Sequence, residues 1–250
     1  PFIYDDDLAT RARAIIRDFA LRILPVTDKN KRLLGKVSRR DIMIISSSVS
    51  SMRVRGVMTE PKYVATMDDD AVSTIREMIR HSAWYAPVVN SAQEATYRGV
   101  LSLEDFIKVS LRTNPERLSK PVSEVMCKDV VTCTPDDEVH NVWRLMQTKS
   151  FAGLPVVKKD KLVGIISQKD LLEHGTAFPT FESKKGRFRS SVKISSIMKT
   201  PALTVEPSAT VADAAKIMVE RNVGRIPVRD AKGRLVGIVD REDIVRLLIK

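Results

Sequence analysis

At 250 residues, 43% of them hydrophobic, the chain is large enough for one big packed domain or two of medium size. No stretch approaches the ~18 uninterrupted apolar residues of a membrane span, and no basic-then-apolar signal segment opens the chain, so no membrane partner is expected and the cytoplasm is the default compartment. A net charge of +11 points to an anionic partner, whether nucleic acid, an anionic surface or a small anionic ligand, and says nothing of the fold.

The predicted elements form the same series four times over. In the first copy Asp5-Asp6-Asp7 precedes a helical stretch, Leu24-Pro25-Val26 reads as a strand, and a glycine strand at Gly35 runs into Ser38 and Asp41. The acidic triplet matches Asp68-Asp69-Asp70 of the second copy in register, which places Pro1 inside an opening strand, as though a few residues precede it. The second copy opens at Met58, carries Val72, Ile75, Met78 and Ile79 on one helical face, then Ala86-Pro87-Val88, and Gly99-Val100-Leu101 leading to Ser102 and Asp105. A break is expected at Arg112-Thr113-Asn114-Pro115-Glu116.

The third copy opens at Met126, sets Val139, Val142, Trp143 and Met146 on its helix, and continues through Leu154-Pro155-Val156 to Gly164, Ser167 and Asp170. A basic connector follows, densest at Lys184-Lys185-Gly186-Arg187-Phe188-Arg189. The fourth copy, opening at Met198, is the most legible. It reads as a strand at Ala202-Leu203-Thr204-Val205, an amphipathic helix with Val211, Ala214, Ala215 and Met218 on one face, a strand over 225–229, a turn at Asp230-Ala231-Lys232-Gly233, an apolar strand around Gly237, and a last helix from Asp240 through Leu248.

Each proline is followed after 9 to 12 residues by the glycine, and each glycine after six by the aspartate. In three copies a methionine lies 29 residues before the proline. Such spacings mark tandem structural units, bounded here at 1–52, 53–115, 116–178 and 190–250, with 179–189 as connector. A unit of about 60 residues with a half-covered sheet buries too little surface alone, so the units are expected to pack on one another, most simply first with second and third with fourth.

Cys127 and Cys133 have neither a partner pair nor metal-like histidine spacing, and both read as buried or semi-buried thiols. His81, His140 and His174 fall at different repeat positions. No catalytic triad, paired-carboxylate site, phosphate-gripping glycine loop or metal cluster recurs, so neither catalysis nor a metal site is expected.

The order of methionine phrase, Pro-Val strand and glycine strand leading to Ser-x-x-Asp resembles the CBS domain (cystathionine-beta-synthase domain), in all four copies and over essentially the whole chain. The resemblance implies a mixed α/β (α+β) fold of four β-α-β-β-α repeats, paired into two Bateman modules that often form a flat disc. The gamma subunit of AMP-activated protein kinase shares this layout, as do stand-alone archaeal and bacterial proteins. It also implies a non-catalytic regulator without a cofactor, holding AMP, ADP, ATP or S-adenosylmethionine in clefts between paired repeats and passing energy status to a regulated protein, as a homodimer or a monomeric disc.

By that resemblance Ser38/Asp41, Ser102/Asp105, Ser167/Asp170 and Asp243 contact ribose or phosphate, and Arg225, just ahead of its Pro-Val phrase, is a phosphate cation. Arg22, one position off that place, together with Arg40, Lys169 and Tyr85, completes the candidate phosphate or adenine contacts; Trp84 and Tyr85 either stack on adenine or cover an open strand. Arg39, Arg40, Lys169 and Arg241 stand where a cation opposes a helix dipole unless an anion is near. Ser followed three residues later by Asp is equally the pattern of a helix capping box, worth ~1 kcal/mol without any ligand. Asp240 replaces serine in the fourth copy, which keeps the cap and puts a second carboxylate where phosphate would sit. Two other readings stay open: a nucleic-acid-associated protein, suggested by the +11 charge and the connector, and a scaffold whose helical faces hold a protein.

Overall fold

A computed structural model of the chain describes residues 1–43, 50–174 and 192–250; the basic connector lies outside the described residues. The first repeat consists of β1 (Ile3–Tyr4), α1 (Ala9–Asp18), β2 (Ile23–Thr27), β3 (Leu33–Ser38) and α2 (Arg39–Ile42). The second has β4 (Ala65–Thr66), α3 (Ala71–Arg80), β5 (Tyr85–Val89), β6 (Tyr97–Ser102) and α4 (Leu103–Thr113), and after the break at Asn114 a short α5 (Pro115–Leu118) with proline at its first position. In the third repeat are α6 (Val139–Lys149), β7 (Gly153–Lys158), β8 (Lys161–Ser167) and α7 (Gln168–His174). The fourth holds α8 (Val211–Glu220), β9 (Arg225–Arg229), β10 (Leu235–Asp240) and α9 (Arg241–Leu248).

Each Pro-Val strand pairs with the glycine strand that follows it, antiparallel in β2–β3, β5–β6 and β9–β10. The opening strands pair parallel to the Pro-Val strands over two residues in the first two repeats. In the last two they shrink to single bridges, Cys133 to Val156 and Val205 to Val228, so the four-residue strand expected at 202–205 is not formed. The reason is local. Asp5 and Met67 extend the ladder by donating their N–H groups to Thr27 and Val89, and Pro135 and Pro207, at the same place, have no N–H to give.

The chain divides into two compact units, one of residues 1–61, 132–158 and 163–200, the other of 62–131, 159–162 and 201–250. The first repeat thus shares a unit with the third, and the second with the fourth. Helices join them, α1 and α2 against α7 in one unit, α4 against α8 and α9 in the other. This helical packing is a different contact from the neighbour-to-neighbour pairing expected of the sheet faces.

Helical periodicity places the cores well. Val211, Ala214, Ala215 and Met218 are fully buried, as are Val142, Trp143 and Met146 to within a few per cent, and Ile75, Met78 and Ile79 follow suit. Val72 does not; it is exposed. Cys133 is buried, and burial, with Asp137 nearby, raises its thiol to about 12. Cys127, expected to be at least half-buried, is exposed, its Sγ 3.4 Å from the Asp129 carbonyl.

Candidate functional site

The turn from glycine strand to last helix is built the same way in each repeat. Ser38 accepts the N–H of Asp41 on its hydroxyl (3.3 Å), while Oδ2 of Asp41 takes the N–H and the hydroxyl of Ser38, both at 2.7 Å. Ser102 and Asp105 repeat this at 3.0 and 2.7 Å, Ser167 and Asp170 at 2.9 and 2.5 Å. Both partners of a capping box are therefore satisfied without a ligand. Each serine has given its one proton to its own aspartate and keeps only acceptor capacity, whereas every bond from the serine falls on Oδ2 and leaves Oδ1 as the acceptor side of the carboxylate.

In the unit of the first and third repeats, each aspartate also has a lysine beside it. Lys36 Nζ lies 3.1 Å from Asp41 Oδ2, joined by the Thr59 hydroxyl at 3.3 Å. Lys199 Nζ lies 3.7 Å from Oδ1 of the buried Asp170. Neither lysine was singled out in the sequence, although Lys36 stands at a place where the other copies have Val100, Ile165 and Ile238. That polar departure from an apolar column was the available signal.

The other unit is different in character. Asp240 caps α9 through Oδ1, accepting the N–H groups of Glu242 (2.9 Å) and Asp243 (3.2 Å), and donates its own N–H to Asp243 at 2.8 Å. Arg225 lies opposite Asp240 in the β9–β10 ladder, its guanidinium 5.8 Å from the Trp84 ring, and Trp84 donates to Glu242 at 2.9 Å. Burial lowers the pKa of Arg225, against the pull of Asp240 and Asp243. Arg241 is 1% exposed; it donates to Tyr85 Oη at 2.8 Å and is ion-paired with Glu104. A cavity of about 550 Å³ opens beside Asp243, lined also by Lys120, Glu124, Arg246 and Lys250.

The remaining sequence candidates find protein partners. Arg39 gives its guanidinium to the carbonyls of Ala20 and Leu21, Arg40 reaches the Ser150 hydroxyl at 3.3 Å, and Lys169 pairs with Glu173 at 3.6 Å. The first-turn cations thus have acceptors within the protein and do not by themselves call for a bound anion. Arg22 takes the Arg39 N–H on its carbonyl, as Gly224 takes that of Arg241, so it aligns with Gly224 and stands one place from Arg225, as the spacing indicates. Tyr85 is opposite Ser102 in its ladder with its hydroxyl held by Arg241.

Burial, with the charge of Asp240 beside it, lifts the Asp243 carboxyl to about 7, and Asp240 is raised as well, first by its own burial. Between the ordinary carboxylate range and pH 7 the folded chain holds a proton that the unfolded chain has released. Stability from Asp243 is therefore complete below about pH 4 and lost as pH rises through about 7. Urea unfolding is expected to show stability falling by roughly 1–3 kcal/mol from pH 4 to 8 relative to an Asp243→Asn variant, with parallel curves counting against it.

Comparison with known proteins agrees with the repeat structure. The profile described as "CBS domain" matches residues 1–48, 54–112, 122–176 and 194–250. Protein MJ1225 of Methanocaldococcus jannaschii is 24% identical over 98% of this chain and 93% of its own length. Its crystal structure, described as a candidate archaeal homologue of g-AMPK, superposes with a TM-score of 0.87 at 22% identity, covering 99% of this chain and 95% of that one. A CBS domain-containing protein of Dictyostelium discoideum is 39% identical over 52% of this chain and 91% of its own length. A conserved protein of Pyrococcus horikoshii shares the fold with a TM-score of 0.64 at 19% identity, over 91% of each chain.

Proposed function

The chain belongs to the CBS domain family, and on that premise we propose that it is a non-catalytic regulatory protein that binds adenine nucleotides at the Ser-x-x-Asp turns and passes their occupancy to a regulated protein. The observation that carries this reading is the arrangement of Asp41 and Asp170. Each is fixed through Oδ2 by its own cap and has a lysine within 4 Å. A carboxylate held this way suits the two hydroxyl donors of a ribose, and a neighbouring ammonium suits a phosphate. With the serine proton engaged, the phosphate charge falls to Lys36 and Lys199, and the serines serve to position the carboxylates. Ser102 and Asp105 carry the same cap, and the fourth repeat has Arg225 as its cation.

A second reading applies to the fourth repeat. Asp240 and Asp243 face the guanidinium of Arg225 there, while Glu242 is paired with Arg246 at 2.6 Å, and the second carboxylate that Asp240 puts in the place of a serine favours a ligand carrying positive charge, as S-adenosylmethionine does, over a nucleotide polyphosphate.

Calorimetry with AMP, ADP, ATP and S-adenosylmethionine tests both. Asp170→Asn is expected to weaken nucleotide binding by about 10- to 100-fold, the loss of charge-assisted bonds worth ~1.5–3 kcal/mol, while circular dichroism remains that of the parent. No heat from any of the four at millimolar concentration sinks the reading. Transmission to a partner requires that the nucleotide favour one of two arrangements of the protein.

A further inference from the structure

Along β3, β8 and β10 the residue after the glycine exchanges both backbone hydrogen bonds with the residue after a methionine. Lys36 is paired in this way with Thr59 (2.9 Å in both directions), Ile165 with Lys199 (3.1 and 2.8 Å) and Ile238 with Cys127 (2.9 Å in both directions). The member on the glycine strand is half-buried in each pair, the member after the methionine exposed, and the first of these stands five residues ahead of the aspartate of its own turn.

Lysine occurs once in the first pair and once in the third, but on opposite sides. In the first repeat it is Lys36, on the glycine strand, with Nζ 3.1 Å from Asp41 Oδ2, and the Thr59 hydroxyl opposite reaches the same oxygen at 3.3 Å. In the third it is Lys199, after the methionine, with Nζ 3.7 Å from Asp170 Oδ1, and the residue opposite is the apolar Ile165. Residues directly opposite each other in an antiparallel pair carry their side chains on one face with Cβ atoms ~5 Å apart, a difference that the four-carbon lysine stem absorbs. What the two repeats share is therefore an ammonium at the aspartate, not a lysine at one position. The fourth pair has no lysine. Neither Cys127 nor Ile238 can bring an ammonium to Asp243, and the guanidinium of Arg225 is shared with Asp240.

We propose that this cross-strand pair is the charge selector of its site: a lysine on either strand admits a ligand that carries phosphate, and the Cys127–Ile238 pair restricts the fourth site to an adenosyl ligand without phosphate. The proposal rests on the reading of the Ser-x-x-Asp turns as adenine-ligand sites and adds the residues that sort those ligands. A phosphate brought to the first or third turn meets one carboxylate already matched by an ammonium. At the fourth turn it meets two carboxylates, Asp240 and Asp243, that share one guanidinium.

Moving the cation from strand to strand is the test, read by calorimetry of the whole chain with ADP and with S-adenosylmethionine, and with circular dichroism to check the fold. Lys199→Thr is expected to weaken ADP binding at one site by roughly tenfold or more, and adding Ile165→Lys, which rebuilds the arrangement of the first repeat, to restore it to within about threefold. Recovery by a lysine on the other strand is a result that a merely structural role of Lys199 does not give. Cys127→Lys and Ile238→Lys, one on each side of the fourth pair, are each expected to add about one equivalent of bound ADP and to weaken S-adenosylmethionine by roughly tenfold. A parent chain that takes up neither ligand removes the reading on which the proposal stands. Where the parent binds ADP, an unchanged affinity in Lys199→Thr, no recovery with Ile165→Lys, or no added equivalent in either fourth-repeat variant overturns the selector itself.

Discussion

Replacing Arg241 by methionine is expected to destabilise the protein by ~3 kcal/mol, the scale on which a buried ion pair loses one partner. Methionine keeps the length of the apolar stem but leaves Glu104, 13% exposed in its side chain, without the guanidinium, and Tyr85 Oη without its donor. Lys108 remains 2.9 Å from Glu104 but is itself half exposed, which places the loss at the low end for buried pairs. A double replacement, Arg241→Met with Glu104→Leu, is expected to recover most of it, because the cost lies in stranding a charge and not in the pair's own worth. Urea unfolding of the two single variants and the double measures this. A single-variant loss below about 1 kcal/mol defeats the expectation.

The sequence shows what is periodic and local. The Pro-Val strands, the glycine strands and the Ser-x-x-Asp caps are legible because each is fixed by residues within a few positions of one another, and four copies make the pattern unmistakable. The capping and ligand readings of Ser38 and Asp41 could not be separated there; the structure shows that the cap is made, with the serine proton already placed. Arg241 and Lys199 were out of reach for another reason. Arg241 occupies the same repeat position as Arg39, whose guanidinium ends on backbone carbonyls, and only the packing of α4 against α9 brings Glu104 and Tyr85 to it. Val72 reads as core by periodicity and is exposed because it stands one place past the buried column, which runs through Thr74, Ile75 and Met78: it aligns with the half-buried Thr10, His140 and Ala212, whereas Val139 and Val211 align with Ala71.

Segments distant in sequence govern the four glycines, which look interchangeable in the sequence. Alanine at Gly164 would place its Cβ 2.8 Å from the Lys199 carbonyl oxygen, a backbone atom that cannot swing aside, and is expected to cost ~1–3 kcal/mol. At Gly237 the nearest atom is the mobile Met126 Sδ at 2.6 Å, but Cys127 O follows at 3.1 Å; at Gly35 the Thr59 oxygen lies at 3.0 Å, so both are expected to fall between. Gly99→Ala meets open space and is expected to remain within ~0.5 kcal/mol of the parent. The functional consequence follows the same order. Pushing residues 198–200 away from Gly164 carries Lys199 away from Asp170, so Gly164→Ala should weaken nucleotide binding through the cation while the Ser167–Asp170 cap stays intact. Equal unfolding midpoints for Gly164→Ala and Gly99→Ala would show that the methionine phrases do not bear on the glycine strands as the geometry requires.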